Sequence, residues 1–243
     1  MRASDIIKSF KLKNELNPKL WDDPNTENPT LKDEIRNTLL EISNNFIDFV
    51  GLDIDVDDVT MTGSLSNYNW SDYSDVDLHI LVDIKNSDMS DILKELFSAK
   101  QSVWNSIHDV TIKGYNVEIY VQDSNEPHYS TGVYSVMHDE WIEKPLKTNV
   151  ILDDKKIMDK SQRWMTIIDG IQQKSFFKNP EETLEIIDTV KDKLKKFRRS
   201  GLESDGEFSY ENLAFKFLRR NGYLKKLSDL KNNILDSTLS LDQ

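Results

Sequence analysis

Gly63-Ser64, then Asp75-Val76-Asp77, then Glu118 on a later apolar run are the residues whose types and spacing suit chemistry. Residues two apart on a strand face the same way, with Cα atoms about 6.5–7 Å apart. Asp75 and Asp77 therefore share one face of the strand they open. Carboxylates so placed can close on shared hard cations. Mg²⁺ takes oxygen ligands and is held by one or two carboxylates plus substrate phosphates. Two such ions can clamp the attacking and leaving oxygens at a phosphorus. Glu118 lies between Val117 and Ile119, which point to the opposite face. A carboxylate on an apolar strand is costly unless a cation offsets it. Glu118 fits a base for an attacking hydroxyl, or a ligand to the metal that acidifies it. Gly63 permits close backbone approach to a phosphate, and the Ser64 hydroxyl adds a donor. Each part alone is common, because Gly-Ser also makes ordinary turns and Asp-x-Asp arises by chance in a chain with 43 Asp and Glu. The combination is the specific signal.

These groups need a scaffold, and the sequence implies one. Asn14 to Pro29 is irregular, packing through Leu20 and Trp21. Thr30 reads as an N-cap, with Asp33 three residues on. Ile35, Leu39, Ile42 and Phe46 then predict an amphipathic helix over 31–50. Val56 to Thr62 predicts a strand ending at Gly63. Val76 to Val82, apolar except Asp77 and His79, predicts a buried central strand. Met89 to Ile107 predicts a helix with Ile92, Leu93, Leu96, Val103 and Trp104 on its inner face. Val110 to Val121 predicts a hairpin turning at Lys113-Gly114, and Val133 to Met137 one more strand. After Pro145 the pattern is helical: a helix around Ile157 to Ile171, one capped by Asn179-Pro180 and broken by a Ser200 to Glu207 loop, one around Tyr210 to Leu218 ending at Asn221-Gly222, and a last around Leu224 to Ile234. The expected plan is α+β over 1–145, a mixed sheet flanked by helices, followed by a helical region over 146–243.

Gly63-Ser64 and Asp75-Val76-Asp77-Leu78, with Glu118 later, resemble the polymerase-beta-type nucleotidyltransferases over about residues 56–121, and within that span Thr62 to His79 (TGSLSNYNWSDYSDVDLH) resembles the nucleotidyltransferase-domain proteins of tailed bacteriophages. Leu16 to Trp21 (LNPKLW) and Val117 to Val121 (VEIYV) extend the likeness toward the nucleotidyltransferase-domain proteins of tailed bacteriophages, across much of 10–145. The resemblance implies a nucleotidyltransferase-type sheet, Mg²⁺ or Mn²⁺, an NTP such as ATP as donor, and pyrophosphate release. It implies Asp75 and Asp77 as metal ligands, Glu118 as the third carboxylate, and Gly63 and Ser64 as phosphate contacts. It leaves the acceptor open: a small molecule, another nucleotide, a protein side chain or a tRNA end.

Composition bounds the rest. The chain has 243 residues, a net charge of −12 and no cysteine, which excludes disulfides, thiolate metal sites and Cys nucleophiles. Residues 1–150 carry 13 Lys/Arg against 27 Asp/Glu, a net of −14; residues 151–243 carry 18 against 16, a net of +2. So acidic a protein disfavours a long nucleic-acid partner. Neither a signal peptide nor a membrane span is legible, so a cytoplasmic protein is expected, in the host cytoplasm if phage-encoded. The competing reading of the carboxylates is solubility at a strand edge, against which the apolar run after Asp77 argues. His79 shares their face and reads as a buried, satisfied histidine or a partner of the carboxylates. Tyr68, Trp70 and Tyr73 suit stacking on a base or packing of their loop. The basic runs Lys193 to Arg199 and Lys216, Arg219, Arg220 read as solvated faces, one of which could meet a triphosphate. A nucleotide-binding module without catalysis, sensor- or antitoxin-like, and an acidic interaction protein are the alternatives.

Overall fold

The structure, a computed structural model, describes residues 3–86, 89–128, 130–147, 150–175 and 179–241. In chain order the elements are α1 (Ala3–Lys8), β1 (Trp21–Asp22), β2 (Thr30–Leu31), α2 (Asp33–Val50), β3 (Asp58–Thr62), β4 (Val76–Val82), α3 (Ser90–Ile107), β5 (Thr111–Ile112), β6 (Tyr115–Asp123), β7 (Val133–Ser135), β8 (Glu140–Glu143), α4 (Asp154–Ser175), α5 (Pro180–Asp205), α6 (Tyr210–Arg220) and α7 (Tyr223–Leu239). They form an α+β unit over residues 12–149 and a helical unit made of residues 1–11 and 150–243. The boundary thus falls four residues beyond the expected one, and the N-terminal segment belongs with the helices. Ile6, Ile7 and Phe10 are the reason: they are buried with Ile157, Leu213 and Phe217. Among the described residues no helix is long and apolar enough to cross a membrane.

The α+β unit is built on a mixed six-stranded sheet of order β5-β6-β4-β3-β7-β8, in which β4 and β6 run parallel and the other neighbours antiparallel. Its buried apolar face is set by period 2: Val76, Leu78, Ile80 and Val82 of β4 alternate with Asp77, His79 and Leu81, and Val117 and Ile119 of β6 alternate with Glu118. Ile35, Leu39, Ile42 and Phe46 of α2 join the same core at helical spacing. The β5–β6 hairpin turns at Lys113 (φ 51°) and Gly114 (φ 87°), the two positive φ values a two-residue turn demands.

Three expected features differ. Thr30 lies in β2, and α2 starts at Asp33 after Lys32, with no side-chain cap. On α3 the buried positions are Phe97 and Trp104, with Leu93 half-buried, while Ile92 and Val103 are 65% and 46% exposed. The helix is rotated toward its aromatic side chains: Trp104 meets Phe46 and Phe49 of α2 edge-on, at 5.6 and 5.4 Å between ring centroids. The third difference is that α5 runs unbroken through Ser200 to Asp205. Gly201 lies inside it because α6 begins alongside; a Cβ there would lie 2.6 Å from Ser209 Oγ. In the helical unit, Asn179 caps α5 as expected, accepting from Glu181 N at 3.0 Å.

Candidate functional site

The site is assembled by register. On the polar face of the sheet, Asp77 stands opposite Thr62 of β3 on one side and Glu118 of β6 on the other. Directly paired positions on neighbouring strands carry their Cβ atoms on the same face at about 5 Å. Asp75, two residues upstream, precedes β4 and is half-buried. Glu118 accepts a hydrogen bond from Tyr120 Oη at 2.5 Å, which orients its carboxylate. Among the described residues no three His, Cys, Asp or Glu side chains gather closely enough to hold a metal ion by themselves.

Gly63 sits at φ 76°, ψ −159°, a conformation open to glycine and strained for other residues. A Cβ built there would lie 1.9 Å from Asp77 Oδ2. The missing side chain is what lets the turn lie against the carboxylate. Ser64 opens a single 3₁₀ turn, and its Oγ bonds Ser74 Oγ at 2.7 Å, tying the turn to the residue before Asp75. Ser74 Oγ also accepts from Ser71 N at 3.0 Å. The turn is held from a second side by Ser130 Oγ, which accepts from Gly63 N at 3.4 Å, and by the Asn67 Nδ2 bond to Thr131 Oγ1 at 2.5 Å. Gly132 is needed for this approach, since a Cβ there would lie 2.1 Å from the Ser66 carbonyl oxygen. Sequence reasoning missed Ser130 and Gly132, because partners more than 60 residues from the turn leave no local pattern, and it missed Ser74, ten residues on, because a serine in a polar loop is unremarkable.

Farther along the same strands, His79 pairs in register with Tyr120, and their rings stack at 5.0 Å. Both line a cleft of about 480 Å³ with Thr62, Phe97, Gln122 and Ser130. Burial, the largest cause, pulls the His79 pKa from 6.5 down to about 4, against the Gln122 hydrogen bond, which raises it. The imidazole is therefore neutral near pH 7. Thr60, opposite His79 on β3, is fully buried, and its Oγ1 has no hydrogen-bond partner among the described residues. Beyond β5, α3 covers the backbone of β6 with side-chain amides one helical turn apart: Asn105 bonds both N and O of Ile119, and Gln101 Oε1 accepts from Val121 N at 2.9 Å.

Tyr68 and Trp70 of the loop serve packing. Tyr68 is buried, and Trp70 Nε1 donates to the Glu15 carbonyl at 2.9 Å. Ser135, for which the sequence suggests no role, donates to Asp58 Oδ1 at 2.8 Å and accepts from His138 N at 2.9 Å. In the helical unit Lys193, Lys195, Lys196 and Arg199 are exposed, in keeping with a solvated face. Lys216 differs: burial holds its pKa below the usual lysine range, opposed by Glu207 and reinforced by Arg220, Arg219 and Arg198. No family model, curated protein or solved structure matches this chain.

Proposed function

We propose that the protein is a metal-dependent nucleotidyltransferase whose α+β unit has a nucleotidyltransferase-type fold. It moves an NMP from an NTP onto a hydroxyl-bearing acceptor and releases pyrophosphate. The observation that carries this reading is the contact of side-chain-free Gly63 with Asp77, while the strand register sets Glu118 beside the same aspartate. A glycine turn against a carboxylate brings backbone N–H groups and an anionic oxygen to one place. A phosphate accompanied by a cation can satisfy both.

The donor set fits Mg²⁺ or Mn²⁺. It is all oxygen, and Mg²⁺ uses one or two protein carboxylates and completes its shell from phosphates and water, so a three-residue cage is not required. When bound, the ion neutralises phosphate charge and lowers the pKa of the acceptor hydroxyl. Asp77 and Asp75 would hold it. Glu118 would either complete the ligand set or take the acceptor's proton, its carboxylate oriented by Tyr120. Gly63 and Ser64 would meet the phosphates, with Ser64 anchored by Ser74. The acceptor oxygen bonds to the α-phosphorus, the bond to the pyrophosphate oxygen breaks, and the hydroxyl proton passes to the base.

The test is incubation with α-labelled NTPs, Mg²⁺ or Mn²⁺ and cell extract, comparing wild type with Asp75→Ala/Asp77→Ala. The expected outcome is label transfer by wild type and a loss of at least about 100-fold in the variant. Equal labelling by both sinks the reading. Nucleotide binding without catalysis is the second reading. It predicts Mg-NTP binding by calorimetry with no pyrophosphate release.

A further inference from the structure

The cleft beside the carboxylates has a feature that phosphate chemistry does not use. Its histidine is oriented by a side-chain hydrogen bond to Gln122. Gln122 Nε2 donates to the Glu126 carbonyl at 3.5 Å, which turns Gln122 Oε1 toward His79. That oxygen lies 2.9 Å from His79 Nδ1. An amide oxygen only accepts, so the proton of the neutral ring sits on Nδ1 and the lone pair on Nε2. Among the described residues no hydrogen bond to Nε2 is found, and His79 lines the cleft, which leaves this nitrogen available to a ligand there.

The walls set the shape of a ligand. Tyr120 stacks on the imidazole, Ile84, Phe97 and Val121 add apolar lining elsewhere in the cleft, and Lys94, Asp123, Glu126 and His128 add polar lining. The volume, about 480 Å³, lies in the range of small-molecule sites, and apolar walls with a few placed polar groups suit a flat ring. His79 and Tyr120 each lie two residues beyond Asp77 and Glu118 on the same face of the same strands, about 6.5–7 Å farther along. A nucleotide with its phosphates at the carboxylates spans that interval with its sugar.

We propose that this cleft seats the nucleobase of the donor and that His79 Nε2 selects bases carrying an exocyclic amine. The inference rests on the nucleotidyl-transfer reading and adds the base preference. An amine at C6 of a purine or C4 of a pyrimidine donates to Nε2. A carbonyl at the same position sets one lone pair against another and leaves both without a partner.

Equilibrium calorimetry on the full chain, with Mg²⁺ and no acceptor, tests this with matched pairs: ATP against ITP, and CTP against UTP. Wild type is expected to bind the amino member of each pair about tenfold more tightly. His79→Phe keeps an aromatic ring beside Tyr120 and should bring each ratio to within about twofold. Gln122→Glu still accepts from Nδ1 and should preserve the preference, so it separates loss of recognition from loss of fold. Gln122→Lys can only donate to Nδ1, moves the ring proton to Nε2 and should favour the keto member. Equal affinities in wild type, or a preference that survives His79→Phe, overturn the inference while nucleotide binding leaves the transfer reading standing. Absence of any nucleotide binding overturns both.

Discussion

The two units bury polar side chains for different reasons. In the helical unit, Ser161 donates to the Ile157 carbonyl, Thr183 to the Asn179 carbonyl, Ser209 caps α6, and Asn212 bonds the Glu207 carbonyl. Each serves a helix turn or a helix end. Its charges pair near the surface, as in Lys226–Asp169 and Lys231–Asp188, contacts worth little individually. In the α+β unit the buried polar residues crowd between Asp58 and Ser74, around Gly63, and Thr60 has no partner for its hydroxyl. Burying polar groups costs stability unless they are satisfied. Several of them serve the turn itself, as Ser66 does by donating to the Met61 carbonyl and Ser74 by accepting from Ser71 N, which leaves Thr60 unaccounted for. The comparison teaches that polar burial marks function only after helix caps and turns have been subtracted.

Glycine substitutions break the comparison most sharply. Gly63→Ala should have the largest effect. Its Cβ would displace the Asp77 carboxylate and force a strained backbone, costing on the order of 1–3 kcal/mol in stability and about 100-fold in label transfer. Thermal unfolding and the transfer assay together measure both. Unchanged transfer would reduce Gly63 to an ordinary turn.

The pH response of His79 should be smaller, and the chain's four histidines all lie in the α+β unit, between residues 79 and 138. The folded pKa of His79, about 4, is below its unfolded value of 6.5. The unfolded chain therefore takes up a proton that the folded chain refuses, and stability present above pH 6.5 is lost as pH falls toward 4. Urea unfolding at pH 7 and pH 4.5 should differ by about 2 kcal/mol more in wild type than in His79→Phe. An identical acid response would show that His79 is not held neutral.

Gly201→Ala tests the helical unit with a glycine that serves packing alone. Its Cβ would lie 2.5 Å from Glu211 Cβ, an overpacking partly offset by alanine's better helix propensity. The expected loss is about 1 kcal/mol, a shift of a few degrees in the melting temperature. A stabilised variant would mean that α6 moves aside freely.

Much of the α+β unit is legible in the sequence. The span Val76 to Val82 matches β4 residue for residue because an apolar run closed by Asp83 has few alternatives to a central strand. Lys113-Gly114 marked its hairpin through glycine, and Asn179-Pro180 its helix start through capping chemistry. On α3, Leu93 and Trp104 pack inward as expected, but Ile92 and Val103 are exposed and Phe97 is buried, because only α2 decides which of two regular stripes is covered. The Ser200 to Glu207 stretch looked like a break because glycine and polar residues weaken helices locally; the approach of α6 to Gly201 supplies the reason for the glycine.

What the sequence determined by itself is the inventory of chemistry and its parity. Asp75 and Asp77 differ by two, so they share a face, and Glu118 opposes Val117 and Ile119 on any strand that holds them. Those facts follow from the period of a β-strand. Which strands are neighbours is not local. The parallel pairing that sets Asp77 beside Glu118 and His79 beside Tyr120, the Gln122 hydrogen bond that orients His79, and the meeting of Ser130 with Gly63 across 67 residues all depend on where the chain returns. Sheet order and register decide this, through the simultaneous burial of the apolar faces of β3, β4 and β6.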